Sequence, residues 1–95
     1  MYSISNHIYR DLGDSLIAAI GAKEFFSGSV CVVDGDVECR LICTLVIERR
    51  REPNGEERCG AITSIRAVWW ECRTTIAQEE LYNDFSFSEL LETIF

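Results

Sequence analysis

Asp34-Gly35 stands between two apolar-rich runs, "SVCVV" (29–33) and "VECRLICTLVI" (37–47). An Asp-Gly pair flanked by alternating hydrophobic residues is the strongest local signal for a two-residue β-hairpin loop. Such a loop pairs Val33 with Asp36. It then sets Val32, Val30, Gly28 and Phe26 opposite Val37, Cys39, Leu41 and Cys43. Every member of that face is apolar or glycine, while the other face carries Cys31, Ser29 and Ser27 against Glu38, Arg40 and Ile42. Side chains alternate along a strand, so a one-residue slip would exchange the faces.

A second turn signal, Asn54-Gly55 in "RREPNGEER", returns the chain in a third strand. The same rule pairs Ile47 with Ile62, Leu41 with Val68, Cys39 with Trp70 and Val37 with Cys72. In "VWWEC" (68–72) the two tryptophans then point to opposite faces, with Trp70 inside and Trp69 outside. Arg66 lands on the inner face opposite Cys43. This misfit calls for a bulge near 64–66, a longer loop, or an arginine crossing the face to reach an acid.

Helices flank this meander. Ile8, Leu12, Leu16 and Ile20 recur every fourth residue over 6–20, with Ser5 or Asn6 to cap the start and Gly21 to end it. Ser86 and Glu89 form a capping box before "FSELLETIF", and Phe85 with Leu90 makes the accompanying hydrophobic staple. The segment "AQEELYNDF" between strand and helix reads as a turn or a short helix. The expectation is one α+β domain over 1–95: an N-terminal helix, a three-stranded antiparallel meander and a C-terminal helix, α-β-β-β-α. A content of 47% hydrophobic residues is enough for a core of its own.

The outward face carries Arg40, Ile42, Thr44 and Val46 on the middle strand, with Ile65, Ala67 and Trp69 on the third. Arg40 falls beside Trp69. A solvated sheet face alternates to polar residues, and this one is half apolar. Either the two helices divide the sheet, one on each side, or both lie on one face and leave Trp69 at the centre of a partner surface. Apolar patches on soluble domains mark such surfaces, and a two-fold homodimer is the commonest assembly.

The net charge of −7 disfavours phosphate neutralisation, so no nucleic-acid partner is expected. No secretory signal stands at the N-terminus, and the longest apolar stretch, 41–47, is far short of a membrane span. Five cysteines without framework spacing suit reduced thiols in a cytoplasmic protein. Cys39 and Cys43 lie about 13 Å apart along one strand, too far to share a zinc ion. Cys59 differs, since it pairs with Arg50 and neighbours Arg58, and positive charge favours a thiolate. His7 is the only histidine, and phosphate loops, nucleophile elbows and zinc-protease motifs are absent. No enzyme, cofactor or metal site is expected.

The order helix–strand–strand–strand–helix is similar in outline to the double-stranded RNA-binding domain. Where that family grips phosphate with lysines, this chain reads "AQEELYNDFS", so RNA binding does not follow. In composition the chain resembles the small acidic chaperones of bacterial secretion systems, which are α+β dimers. The expected function is a homodimeric interaction module working through the face around Trp69. The alternative is a binder of small acidic ligands in a cavity between sheet and helices, lined by Arg66, Trp70 and Cys39. A redox-sensitive thiol at Cys59 stands third.

Overall fold

The computed structural model describes residues 1–50 and 61–95. Helix α1 (Asn6–Ile20) is followed by strands β1 (Phe25–Asp34), β2 (Val37–Arg49), β3 (Ile62–Ile76) and β4 (Glu79–Leu81), and by helix α2 (Phe87–Ile94). The strands form one antiparallel sheet in the order β1-β2-β3-β4. The α+β architecture therefore holds, with a fourth, three-residue strand where the sequence suggested a turn or short helix.

The α1 boundaries follow local chemistry. Ser5 Oγ accepts from the Ile8 N–H at 3.3 Å, and Gly21, at φ +53°, closes the helix by donating its N–H to the Ile17 carbonyl. The stripe Ile8, Leu12, Leu16 and Ile20 is fully buried. Gly13, a poor helix residue, is explained by packing. A Cβ there would come within 3.1 Å of Ile94 on α2, so glycine lets the two helices approach. At α2 the Ser86 hydroxyl accepts from the Glu89 N–H, while the Ser86 N–H donates to the Tyr9 hydroxyl at 2.9 Å. Tyr9 thus takes the place that a reciprocal capping box gives to glutamate.

The first hairpin is displaced by two residues from the expected pairing. Asp34 pairs with Val37, Val32 with Cys39, Val30 with Leu41 and Phe26 with Leu45. The loop is Gly35-Asp36, with Gly35 at φ +62° in first position, as type II′ turns require. A slide of two keeps every side chain on its own face, so the inner set survives.

The second hairpin departs further. Leu41 pairs with Cys72, Cys43 with Trp70 and Thr44 with Trp69, four residues from the expected register. The ladder then breaks between Thr44 and Leu45, where Ala67 and Val68 together face Leu45. Past this bulge the sides of β3 are exchanged relative to the expected pattern: Ile65 pairs with Ile47, and Arg66 with Val46. The misfit at Arg66 is resolved by a bulge at Val68, and Arg66 is exposed on the outer face. The turn around Asn54-Gly55 lies outside the described residues.

Strand β4 follows a two-residue turn, Ala77-Gln78, with both residues at positive φ (51° and 68°). Neither residue favours that conformation, which is why local propensity did not announce this hairpin. Beyond β4 the N-terminal segment runs alongside. The Tyr2 N–H donates to the Tyr82 carbonyl at 2.7 Å, and the Ile4 N–H donates to Asp84 Oδ1 at 2.7 Å.

Both helices pack on the sheet face that carries Cys39, Leu41, Cys43, Leu45 and Ile47, in one connected core with Phe26, Val30, Val32, Phe87 and Leu90. Arg49 ties the far end of β2 to α1, donating from Nη2 to the Gly21 and Lys23 carbonyls at 2.6 and 2.9 Å. A cation at a helix C-terminus is also favoured by the helix dipole. No helix among the described residues is long and apolar enough to cross a membrane.

Candidate functional site

Because both helices take the inner face, the outer face carries no second layer among the described residues. Its composition follows from strand parity. Rows across the sheet read Phe25–Val46–Arg66, Ser27–Thr44–Trp69, Ser29–Ile42–Glu71, Cys31–Arg40–Arg73 and Val33–Glu38–Thr75. The first three rows gather Phe25, Val46, Ile42 and Trp69 around Thr44. Trp69 is 51% exposed and Phe25 58%. Ser27 and Thr44 join their hydroxyls at 3.1 Å beside the indole.

The remaining rows are charged. Arg40 Nη2 lies 3.5 Å from Glu38 Oε1, Arg73 Nη2 lies 3.3 Å from Glu71 Oε2, and Arg73 Nε lies 4.0 Å from Glu80. Exposed pairs of this kind contribute little stability, at about 0–1 kcal/mol each. They do balance the face. Three arginines (40, 66 and 73) stand against four glutamates (38, 48, 71 and 80), on a chain whose net charge is −7. The outer face is therefore close to neutral on a strongly acidic protein.

Of the residues expected on this face, Trp69, Arg40, Ile42 and Val46 are there. Ile65 and Ala67 are not. The Val68 bulge turns them inward, where Ile65 is buried opposite Ile47. Arg40 faces Arg73 and lies four residues along β2 from the partner of Trp69, so it does not sit beside the indole. Phe25, opposite Val46, belongs to this face in either hairpin register, because a slide of two keeps parity; the expected face counted only residues of the second and third strands.

The alternative ligand-pocket set is not brought together. Cys39 and Trp70 are on the inner face, whereas Arg66 is on the outer one. Cys39 is fully buried, and its Sγ lies 3.6 Å from the buried Thr74 Oγ1. Asn83 completes that node, donating from Nδ2 to Thr74 Oγ1 and to the Cys72 carbonyl. Trp70 lies against Phe87, with ring centroids 5.6 Å apart and planes tilted by 43°, and remains 46% exposed, because β4 covers β3 only at Thr74–Ile76. A surface groove of about 480 Å³ lies at this edge, lined by Glu71, Cys72, Arg73, Glu80, Leu81, Tyr82 and Asn83. It contains none of the three expected residues.

Burial pushes the Cys43 thiol up to about 11 and the Cys72 thiol up to about 12. Cys39 is also raised by burial. Cys31 is raised first by partial burial and then by its hydrogen bond to Glu38 Oε1, at 3.3 Å. Cys59 lies outside the described residues. His7 makes an exposed i,i+4 contact with Asp11 at 3.2 Å. Among the described residues no three His, Cys, Asp or Glu side chains gather as a metal site would require. The chain matches no family model, no curated protein and no solved structure at a significant level.

Proposed function

We propose that this protein is a non-enzymatic interaction module whose outer sheet face, centred on Trp69, takes a second copy of the chain. The observation that carries the reading is the one-sided placement of both helices, which leaves Phe25 and Trp69 exposed beside the half-buried Ile42 and Val46. An aromatic anchor within a small apolar cluster, bordered by charged pairs, has the anatomy of an interface core and rim. Near-neutrality supports the choice of partner. Two copies carrying −7 each meet with little repulsion through a surface on which the charges nearly balance. The four described cysteines are free thiols, which suits a reducing compartment.

Light scattering after size exclusion tests the reading, with wild type beside Trp69→Ser. Trp69 is half exposed in the protomer, so the substitution spares the core while removing the anchor. The expected result is a halved solution mass, with association weakened by about 30-fold or more, as loss of a hot-spot residue implies. A mass that does not respond to the substitution at any concentration would remove Trp69 from the interface.

A further inference from the structure

The sheet ends in two edges of different character. The β3 edge is interrupted by the Val68 bulge, flanked by Arg66 and Arg73, and partly covered by β4. Bulges, charges and cover are the devices by which native sheets keep their edges from pairing. Among the described residues the β1 edge has none of them. Phe25–Val33 reads "FFSGSVCVV", nine residues without a charge or a proline, and its ladder with β2 runs without a register shift.

The hydrogen-bonding direction of each residue follows from the hairpin. Asp34 and Val37 flank the two-residue loop and bond to each other, so Val32, Val30, Gly28 and Phe26 also direct their N–H and C=O groups at β2. Val33, Cys31, Ser29, Ser27 and Phe25 direct theirs away from the sheet. All five are exposed.

We infer that this open edge pairs antiparallel with β1 of a second copy, about a two-fold axis at Ser29, to make one continuous eight-stranded sheet. The register is chosen by the charge-free run, which is centred on Ser29. Phe25 then faces Val33 of the second copy, Ser27 faces Cys31, and Ser29 faces Ser29. On the inner side Phe26 meets Val32, and Gly28 meets Val30. Polar meets polar and apolar meets apolar on both faces. Phe25 and Val33, 58% and 68% exposed in the protomer, cover each other. About ten N–H···O bonds form, at two per closely spaced pair. The first charges beyond the run, Glu24 and Asp34, meet only at the two outer ends. The protected β3 edge prevents a third copy from adding there, so the pairing closes at two.

This contact runs along the strand edge and shares Phe25 with the outer-face cluster but not Trp69, so the Trp69→Ser chain isolates it. With both contacts the wild type is a tetramer, so the halved mass of the Trp69→Ser chain is that of a dimer held by the edge alone, and adding Ser29→Lys should make it a monomer with an unchanged circular dichroism spectrum. Ser29→Pro should act the same way, because the N–H it removes bonds nothing in β2. Amide exchange at Ser27, Ser29 and Cys31 should be slowed at least ~10-fold in the dimer relative to the Ser29→Lys variant. A monomeric Trp69→Ser chain at every concentration overturns the edge pairing and leaves the face reading standing. A dimer whose Ser27, Ser29 and Cys31 amides exchange freely also overturns it.

Discussion

A thiol reacts as its thiolate, so the acidity of each cysteine decides its chemistry. Cys43 and Cys72, pushed up to about 11 and about 12 by burial, carry at pH 8 a thiolate fraction smaller by about 100-fold or more than an ordinary cysteine. Cys39 is shifted in the same direction, as is Cys31, despite its exposure. Iodoacetamide labelling of the native protein, read by peptide mass spectrometry, should find all four slower than free cysteine. Fast labelling of Cys43 or Cys72 would mean that the core opens at that strand. The sequence already assigned Cys39, Cys43 and Cys72 to the apolar interior, since alternation alone placed them there. Cys31 was different. Its thiol is raised first by partial burial and then by the Glu38 carboxylate, which the observed register places diagonally across the strand pair instead of directly opposite.

At the scale of strands and helices, what could be read early was parity, and what could not was register. The 3.6-residue stripe of α1 and the Ser86 cap are local signals, and both elements fall where those signals put them. Period-two alternation likewise sorted β1 and β2 into faces. A slide of two or four residues leaves that alternation unchanged, so the hydrophobic pattern cannot distinguish the observed pairings from the expected ones. The misfit of Arg66 leaves a bulge, a longer loop and a crossing arginine all open, and nothing in residues 64–68 says where an extra residue sits. Its position at Val68 has a testable consequence. Deleting Val68 joins Ala67 directly to Trp69 while Leu45–Ala67, Val46–Arg66 and Ile47–Ile65 stay paired. Urea unfolding of the deletion variant should give a stability within about 1.5 kcal/mol of wild type, because no inner-face group is lost. A loss of more than about 3 kcal/mol would mean that the bend itself is needed for packing.

Over the whole molecule, charge and apolarity are distributed unevenly. Ala77–Phe95 holds five acids and no lysine or arginine, while the outer face balances its charges and gathers exposed apolar side chains. Self-association through that face works against the mutual repulsion of two chains of −7 and gains from burial of apolar area. Raising ionic strength from 0.05 to 0.5 M, which shortens the Debye length to less than about 5 Å, should therefore tighten the dimer severalfold. Sedimentation or scattering at a series of salt concentrations checks the sign. Weakening with salt would mean that opposite charges meet across the interface, contrary to an apolar contact.

The adjacent tryptophans also give the molecule two optical addresses. Trp69 looks out from the bare face beside Thr44, and Trp70 lies against Phe87 of α2. The emission of Trp69 senses whatever excludes water from the outer surface. That of Trp70 senses whether the last helix is seated. Two residues that share a peptide bond thus separate association from unfolding, and single Phe replacements at either position read one event without the other.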